Sequence, residues 1–144
     1  MALLHIIMLL FSSSGNQTNP ELIIPRKNSV GVYFGLLEGN VNYERNILAF
    51  PKSYWNIRTG WGQFTNLQAQ GDVYNITLVY ILGKRKAHLE LNAGVKYLDM
   101  KDEKNRFYPD LFAGYRVEKP DGRVFARIGL SGLSIVNIGA GLKF

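Results

Sequence analysis

A chain of 144 residues with 47% hydrophobic and 19% charged side chains is too apolar for intrinsic disorder and of a length for one folded domain. It has no cysteine, which excludes disulfide frameworks, thiolate metal sites and thiol catalysis. The formal net charge is +6, but the cations are scattered along the chain, so nucleic acid is not the partner this composition suggests.

Residues 1–16 carry no Asp, Glu, Lys or Arg, and residues 2–11 form an apolar run of ten that includes His5. Ten residues cannot cross a bilayer as a helix, which takes about 20. The run suits the hydrophobic stretch of a signal peptide, with Ser12-Ser13-Ser14-Gly15 supplying small residues for cleavage. No Lys or Arg precedes the run, and a buried N-terminal helix is the alternative. Residues 17–28, with Pro20 and Pro25, read as an extended lead-in, and 29–144 as a single β domain.

From residue 29 onward the hydrophobic period is two, and it recurs eight times. The first strand, 30–37, carries Gly31 and Gly35 and turns at Glu38-Gly39-Asn40. In the second, Val41, Tyr43 and Ile47 oppose Asn42, Glu44 and Asn46, before a turn at Phe50-Pro51-Lys52. In the third, Trp55, Ile57, Thr59 and Trp61 oppose Asn56, Arg58, Gly60 and Gly62. A longer loop, 63–72, leads to the fourth strand, which is apolar on both faces toward its end but keeps Asn75 and Thr77 on one side. After a tight turn at 83–86, Leu89, Leu91, Ala93, Val95 and Tyr97 oppose His88, Glu90, Asn92, Gly94 and Lys96. A polar loop, 99–106, precedes the sixth strand, where Leu111, Ala113, Tyr115 and Val117 oppose Asp110, Phe112, Gly114 and Arg116. Lys119-Pro120-Asp121-Gly122 turns into the seventh, where Val124, Ala126, Ile128 and Leu130 oppose Arg123, Phe125, Arg127 and Gly129. Ser131-Gly132 turns into the eighth, which sets Val136, Ile138, Ala140, Leu142 and Phe144 against Asn137, Gly139, Gly141 and Lys143. Short links between consecutive strands predict an all-β, eight-stranded antiparallel up-and-down barrel.

Two barrels fit this pattern. A soluble, lipocalin-like binder buries its apolar face around a ligand, whereas a membrane barrel turns that face to lipid and keeps polar residues inside. The polar face is rich in Gly and Asn and carries both signs of charge: Glu44, Arg58, Glu90, Lys96, Asp110, Arg116 and Arg127. That composition suits a narrow interior filled by ion pairs and predicts the membrane form. Glu44, Arg58, Glu90 and Arg127 are the expected mutual partners, with Lys96, Asp110 and Arg116 nearer the rims. Eight strands leave room for side chains but not for a wide channel, so the charges read as a plug. Aromatics on the apolar face gather at its two ends, Trp61, Tyr74 and Tyr97 at one and Trp55, Tyr80, Tyr115 and Phe144 at the other. They predict two interfacial girdles.

Several short motifs carry a resemblance. They are Asn42-Tyr43-Glu44-Arg45, Ile57-Arg58-Thr59-Gly60, Leu82-Gly83-Lys84, the run from His88 through Gly94, Gly114-Tyr115-Arg116 and the closing Gly139-Ala140-Gly141-Leu142-Lys143-Phe144. In their order and spacing over residues 29–144 the chain resembles the small outer-membrane β-barrel proteins of Gram-negative bacteria. The likeness is to the outer membrane protein beta-barrel domain group, of the OmpX and OmpA barrel class. The resemblance implies a cell outer-membrane location, contact with outer-membrane lipids, and Phe144 as the signal read by the barrel assembly machinery. Gly35 departs from the group's pattern, where a Glu is common. Arg45 falls on the apolar phase, where a bulge would turn it inward or its long stem would let it snorkel.

Chemistry is sparse. His88 is the one histidine outside the leader and reads as structural. Asp99, Asp102 and Glu103 are interleaved with Lys101, Lys104 and Arg106, as in a solvated loop. No catalytic, metal or cofactor site is expected. The expected role is structural, adhesive or interactive, with 63–72 and 99–106 as surfaces for an extracellular partner. The alternatives are an enzyme acting on outer-membrane lipid and the soluble binder.

Overall fold

The structure, a computed structural model, describes residues 26–65, 70–83, 86–101, 104–119, 122–132 and 134–144. The leader read at 1–16 and all of the lead-in up to residue 25 lie outside these residues. Eight strands follow one another: β1 (Asn28–Gly35), β2 (Glu38–Phe50), β3 (Ser53–Thr65), β4 (Gln70–Leu82), β5 (Ala87–Met100), β6 (Arg106–Glu118), β7 (Val124–Ser131) and β8 (Ile135–Lys143). Each pairs antiparallel with its chain neighbour, and β1 pairs with β8, so the sheet closes on itself. The eight-stranded antiparallel barrel expected from the alternation is the fold observed. Closure leaves no long open edge, which is what an all-β chain of this size needs to avoid edge pairing.

Period-two alternation sorts side chains between the two surfaces of the barrel wall. In β5, His88, Glu90, Asn92, Lys96 and Leu98 are buried inside, while Leu89, Leu91, Ala93 and Val95 are exposed outside. The same phase holds around the barrel: the charged and amide side chains of the strands point mostly inward, joined there by a few apolar and aromatic ones, and most of the large apolar side chains point outward.

Three boundaries differ from the sequence reading. The β1–β2 turn is Leu36 and Leu37, not Glu38-Gly39-Asn40, because Phe34 pairs with Gly39 and Tyr33 with Asn40. Glu38 and Asn40 point into the interior and are buried, and Glu38 pairs there with Lys96, which holds this segment in β2. The segments read as loops at 63–72 and 99–106 are in part strand: β3 runs to Thr65, β4 starts at Gln70, β5 runs to Met100 and β6 starts at Arg106, since Gln63 pairs with Asp72, Thr65 with Gln70 and Leu98 with Arg106. Phe64, Val73 and Leu98 continue the alternation into those segments and bury together, so the sheet extends past the point where the sequence turns polar. A register shift between Asn46 and Leu48 follows Arg45 and does not turn it inward; Arg45 stays exposed on the outer surface.

The barrel has a turn end, where β2 leads to β3, β4 to β5 and β6 to β7 and where both ends of the described chain lie, and a loop end, where β1 leads to β2, β3 to β4, β5 to β6 and β7 to β8. Gly83 has a φ of 149°, a conformation that a side chain disfavours, and it starts the tight β4–β5 turn. At the loop end β6 outruns β7, whose pairing starts at Phe112, and Pro109 lies in the part of β6 that β7 leaves uncovered. Proline lacks the N–H that such an uncovered edge would otherwise present.

Candidate functional site

The barrel interior gathers the chemistry. Five buried carboxylates, Glu38, Glu44, Glu90, Asp110 and Glu118, share it with five buried cations, Arg58, Lys96, Arg116, Arg127 and Lys143. β2, β3, β5, β6 and β7 each deliver a member from their inward phase, so that Glu44, Arg58, Glu90, Arg116 and Arg127 meet at the centre. Arg58 Nη2 lies 2.6 Å from Glu44 Oε1 and 2.8 Å from Glu90 Oε1. Arg127 Nη1 lies 2.7 Å from Glu90 Oε1, and Arg116 Nη1 lies 2.9 Å from Glu44 Oε2. Tyr33 donates to Glu44 at 2.6 Å, and Asn92 donates to Glu90 at 3.0 Å. Charges taken this far from water need opposite charges to compensate their desolvation, and carboxylates and cations are present here in equal number; Glu38 Oε2, Glu90 Oε2 and Arg127 Nε are buried without a hydrogen-bond partner.

All seven charged residues singled out from the sequence lie inside, but one is central rather than peripheral. Arg116, expected near a rim, reaches Glu44, comes within 3.7 Å of Glu90 and bonds Glu118 through Nε at 3.0 Å. Lys96 and Asp110 form a second cluster, 3.3 Å apart, completed by Glu38 on one side and by the Thr77 hydroxyl, which donates to Asp110. Glu38 and Glu118 were missed, and Lys143, placed on the polar face of the eighth strand, was not counted among the interior charges. Glu38 was read into a turn, and Glu118 stands at the end of β6, next to the turn that follows it.

The sequence reading also missed what fills the rest of the interior. Tyr33, Phe112 and Phe125 lie on the inward phase and are buried. Arg116 stacks 3.8 Å over the Phe125 ring, and Arg127 stacks 3.7 Å over Phe112 and 4.4 Å over Tyr33. Such cation–π contacts gain strength when desolvated. The rings occupy space that inward glycines leave open: a Cβ on Gly139 would meet Tyr33 at 2.1 Å, and one on Gly129 would meet Phe112 at 2.6 Å. The glycines of the polar face thus seat aromatic rings. Apolar clusters close the column at both ends, Phe64, Val73 and Leu98 toward the loop end and Tyr54, Val79 and Ile81 toward the turn end. The central void is about 20 Å³, room for about one water.

The outer surface is the converse. Val32, Val41, Ile76, Leu91, Leu111 and Ile138 are among many large apolar side chains exposed on the strands. Monomeric soluble proteins rarely expose contiguous apolar patches beyond a few hundred Å². Trp61, Tyr74 and Tyr97 lie side by side across β3, β4 and β5 toward the loop end, and Tyr97 contacts Phe107 at a 5.0 Å ring separation. Toward the turn end Trp55 stacks with Tyr80 at 4.6 Å, and Tyr115 and Phe144 stand exposed. Phe144 pairs through its backbone with Asn28, which seats the last residue beside β1.

His88 is buried at the turn end, with Nε2 4.0 Å from Glu118 and its ring edge-on to Tyr54. Tyr54 donates to the same Glu118 at 2.7 Å. Among the described residues no group of three or more His, Cys, Asp or Glu is placed to hold a metal ion. No family model, curated protein or solved structure matches the chain, so the resemblance to the outer-membrane group rests on the residues themselves.

Proposed function

We propose that this protein is an integral β-barrel of the bacterial outer membrane with a structural, adhesive or interaction role and no catalytic activity. The observation that carries the reading is the inverted sorting of side chains, ion pairs inside and an apolar belt outside. A lipid phase covers such a belt without cost, and a closed barrel satisfies its backbone internally, as a bilayer requires. The dimensions agree. At a tilt of 35–45°, strands of eight or nine residues rise roughly 22 Å and strands of 13 roughly 34 Å, against an apolar band of about 25 Å. The two aromatic groups bracket that band. A lipocalin-like binder would need an apolar cavity, and the interior here is a filled column of charges. The outer-membrane location and the role of Phe144 in assembly are what the resemblance implies, and the end of the barrel where β3 meets β4 and β5 meets β6 is the surface offered to an external partner.

Cell fractionation tests the reading. The protein is expected in the outer-membrane fraction, released only by detergent, and its gel mobility should change on boiling as the barrel unfolds. Recovery in the soluble fraction without detergent would overturn the proposal.

A further inference from the structure

The net charge of the chain is not spread over the molecule. The interior balances, five carboxylates against five cations. Among the described residues the loop end is close to balanced, with Asp72 and Asp99 beside Lys101, Lys104 and Arg106. Among the described residues the excess therefore lies at the turn end, where Arg26, Lys27, Lys52, Lys119 and Arg123 stand exposed at the start of β1 and at the β2–β3 and β6–β7 turns. Arg45 adds to it from the outer face of β2, paired in register with Asn28. No exposed carboxylate accompanies them among the described residues, because Glu44 and Glu118 are buried inside. Cations scattered in sequence are gathered in space by the up-and-down topology, which brings every even-to-odd turn to one rim.

The position of this rim relative to the aromatic residues indicates what it meets. Lys52 is three residues from Trp55, and Lys119 is four from Tyr115. The cations thus stand just beyond the aromatics that end the apolar belt, at the height of lipid headgroups if the belt is embedded. We infer that the basic rim is a docking surface for anionic, phosphate-bearing lipid headgroups of the leaflet at the turn end. The inference rests on the membrane reading above and adds to it a lipid selectivity and a polarity. A rim with an excess of cations among the described residues has the complementary charge for such headgroups, and it acts within about 10 Å at 0.1 M salt.

The test uses the full chain refolded into phosphatidylcholine vesicles that hold a trace of spin-labelled phosphatidylglycerol or spin-labelled phosphatidylcholine. Electron spin resonance then reads the fraction of each label immobilised at the protein surface. The wild type is expected to prefer phosphatidylglycerol by about fivefold, as one favourable cation per headgroup implies. The preference should fall toward unity in 1 M salt and in the variant Lys27→Gln, Lys52→Gln, Lys119→Gln, Arg123→Gln. Lys27→Arg, Lys52→Arg, Lys119→Arg should keep it, and so should the loop-end variant Lys101→Gln, Lys104→Gln. An unchanged preference in the neutralised rim, or equal loss in the loop-end variant, overturns the inference. Immobilised lipid with no preference in the wild type also overturns it while leaving the membrane reading intact, even if the rim then binds a soluble polyanion such as heparin. Failure to insert, seen as no immobilised lipid and no heat-dependent gel shift, overturns the membrane reading itself.

Discussion

Replacing Glu90 by Gln tests the interior network at its centre. Glu90 is fully buried, and its Oε1 accepts from Arg58, Arg127 and Asn92 at 2.8, 2.7 and 3.0 Å. Gln keeps the shape and one acceptor oxygen but removes the charge, leaving five buried cations against four carboxylates. Removing one partner of a buried ion pair costs about 3–5 kcal/mol. Against a total stability of about 5–15 kcal/mol, that is a large loss. The structure also says which second change should restore it. Arg58 keeps Glu44 at 2.6 Å, whereas among the described residues Glu90 is the carboxylate that Arg127 meets. Glu90→Gln with Arg127→Gln should therefore be more stable than Glu90→Gln alone, and Glu90→Gln with Arg58→Gln should not be, since that pair strips Glu44 of a donor as well. The assay is equilibrium urea unfolding of each barrel refolded in lipid vesicles, followed by tryptophan fluorescence. A Glu90→Gln barrel within about 1 kcal/mol of wild type, or a failure of Arg127→Gln to rescue it, would refute the account of the interior as a charge-balanced column.

Three further outcomes are expected. Leu91→Arg should lower stability in vesicles by about 2–4 kcal/mol, the cost of a cation at the bilayer midplane of such a barrel, while Leu91→Ile should be near neutral in the same urea titration. Val95→Phe, which adds apolar surface to an exposed position, should cost less than Asn92→Leu, which strips Glu90 of a donor. The reverse order would place the core on the other side of the wall. Deleting Phe144 should reduce the amount of heat-modifiable, inserted barrel at unchanged synthesis, as quantitative immunoblotting of membrane fractions would measure; undiminished insertion would make Phe144 an ordinary aromatic of the belt.

The fold was legible because alternation is a direct readout of a two-sided wall. A strand such as Leu89 to Lys96 states its two faces residue by residue, and eight such strands with short links admit few topologies. What alternation does not state is where a strand stops. At Gln63 and Asp72 the sequence turns polar on the outward phase, which reads as a loop. The inward phase meanwhile continues through Phe64 of β3 and Val73 of β4, which cluster with Leu98 of β5, the residue opposite Val73. That contact is non-local, so no window of local sequence contains it. Glu38 was misplaced for the same reason: a Glu-Gly-Asn triplet looks like a turn, and only Lys96, 58 residues away, draws it into the strand.

The interior site was legible as a composition and not as a geometry. Charges of both signs on one phase announce that they must be paired, but pairing across a closed barrel depends on stagger and on side-chain reach. Arg116 shows the effect. Its backbone lies only two residues from the end of β6, yet its long side chain carries the guanidinium to Glu44 on β2, across the barrel from its own strand. The inward aromatics carry a related lesson. Phe112 and Phe125 sit on a phase that is otherwise polar, which in a soluble core would look like noise in the pattern. Each instead lies beneath an arginine, and the glycines of neighbouring strands make the space for the ring. A small barrel cannot leave its axis empty, because a void forfeits the contacts that stabilise its lining. Gly, Phe and Arg on the inward phase therefore act as one device, in which glycine admits the ring, the ring fills the axis, and the arginine stacked on it carries charge to the carboxylate that needs it.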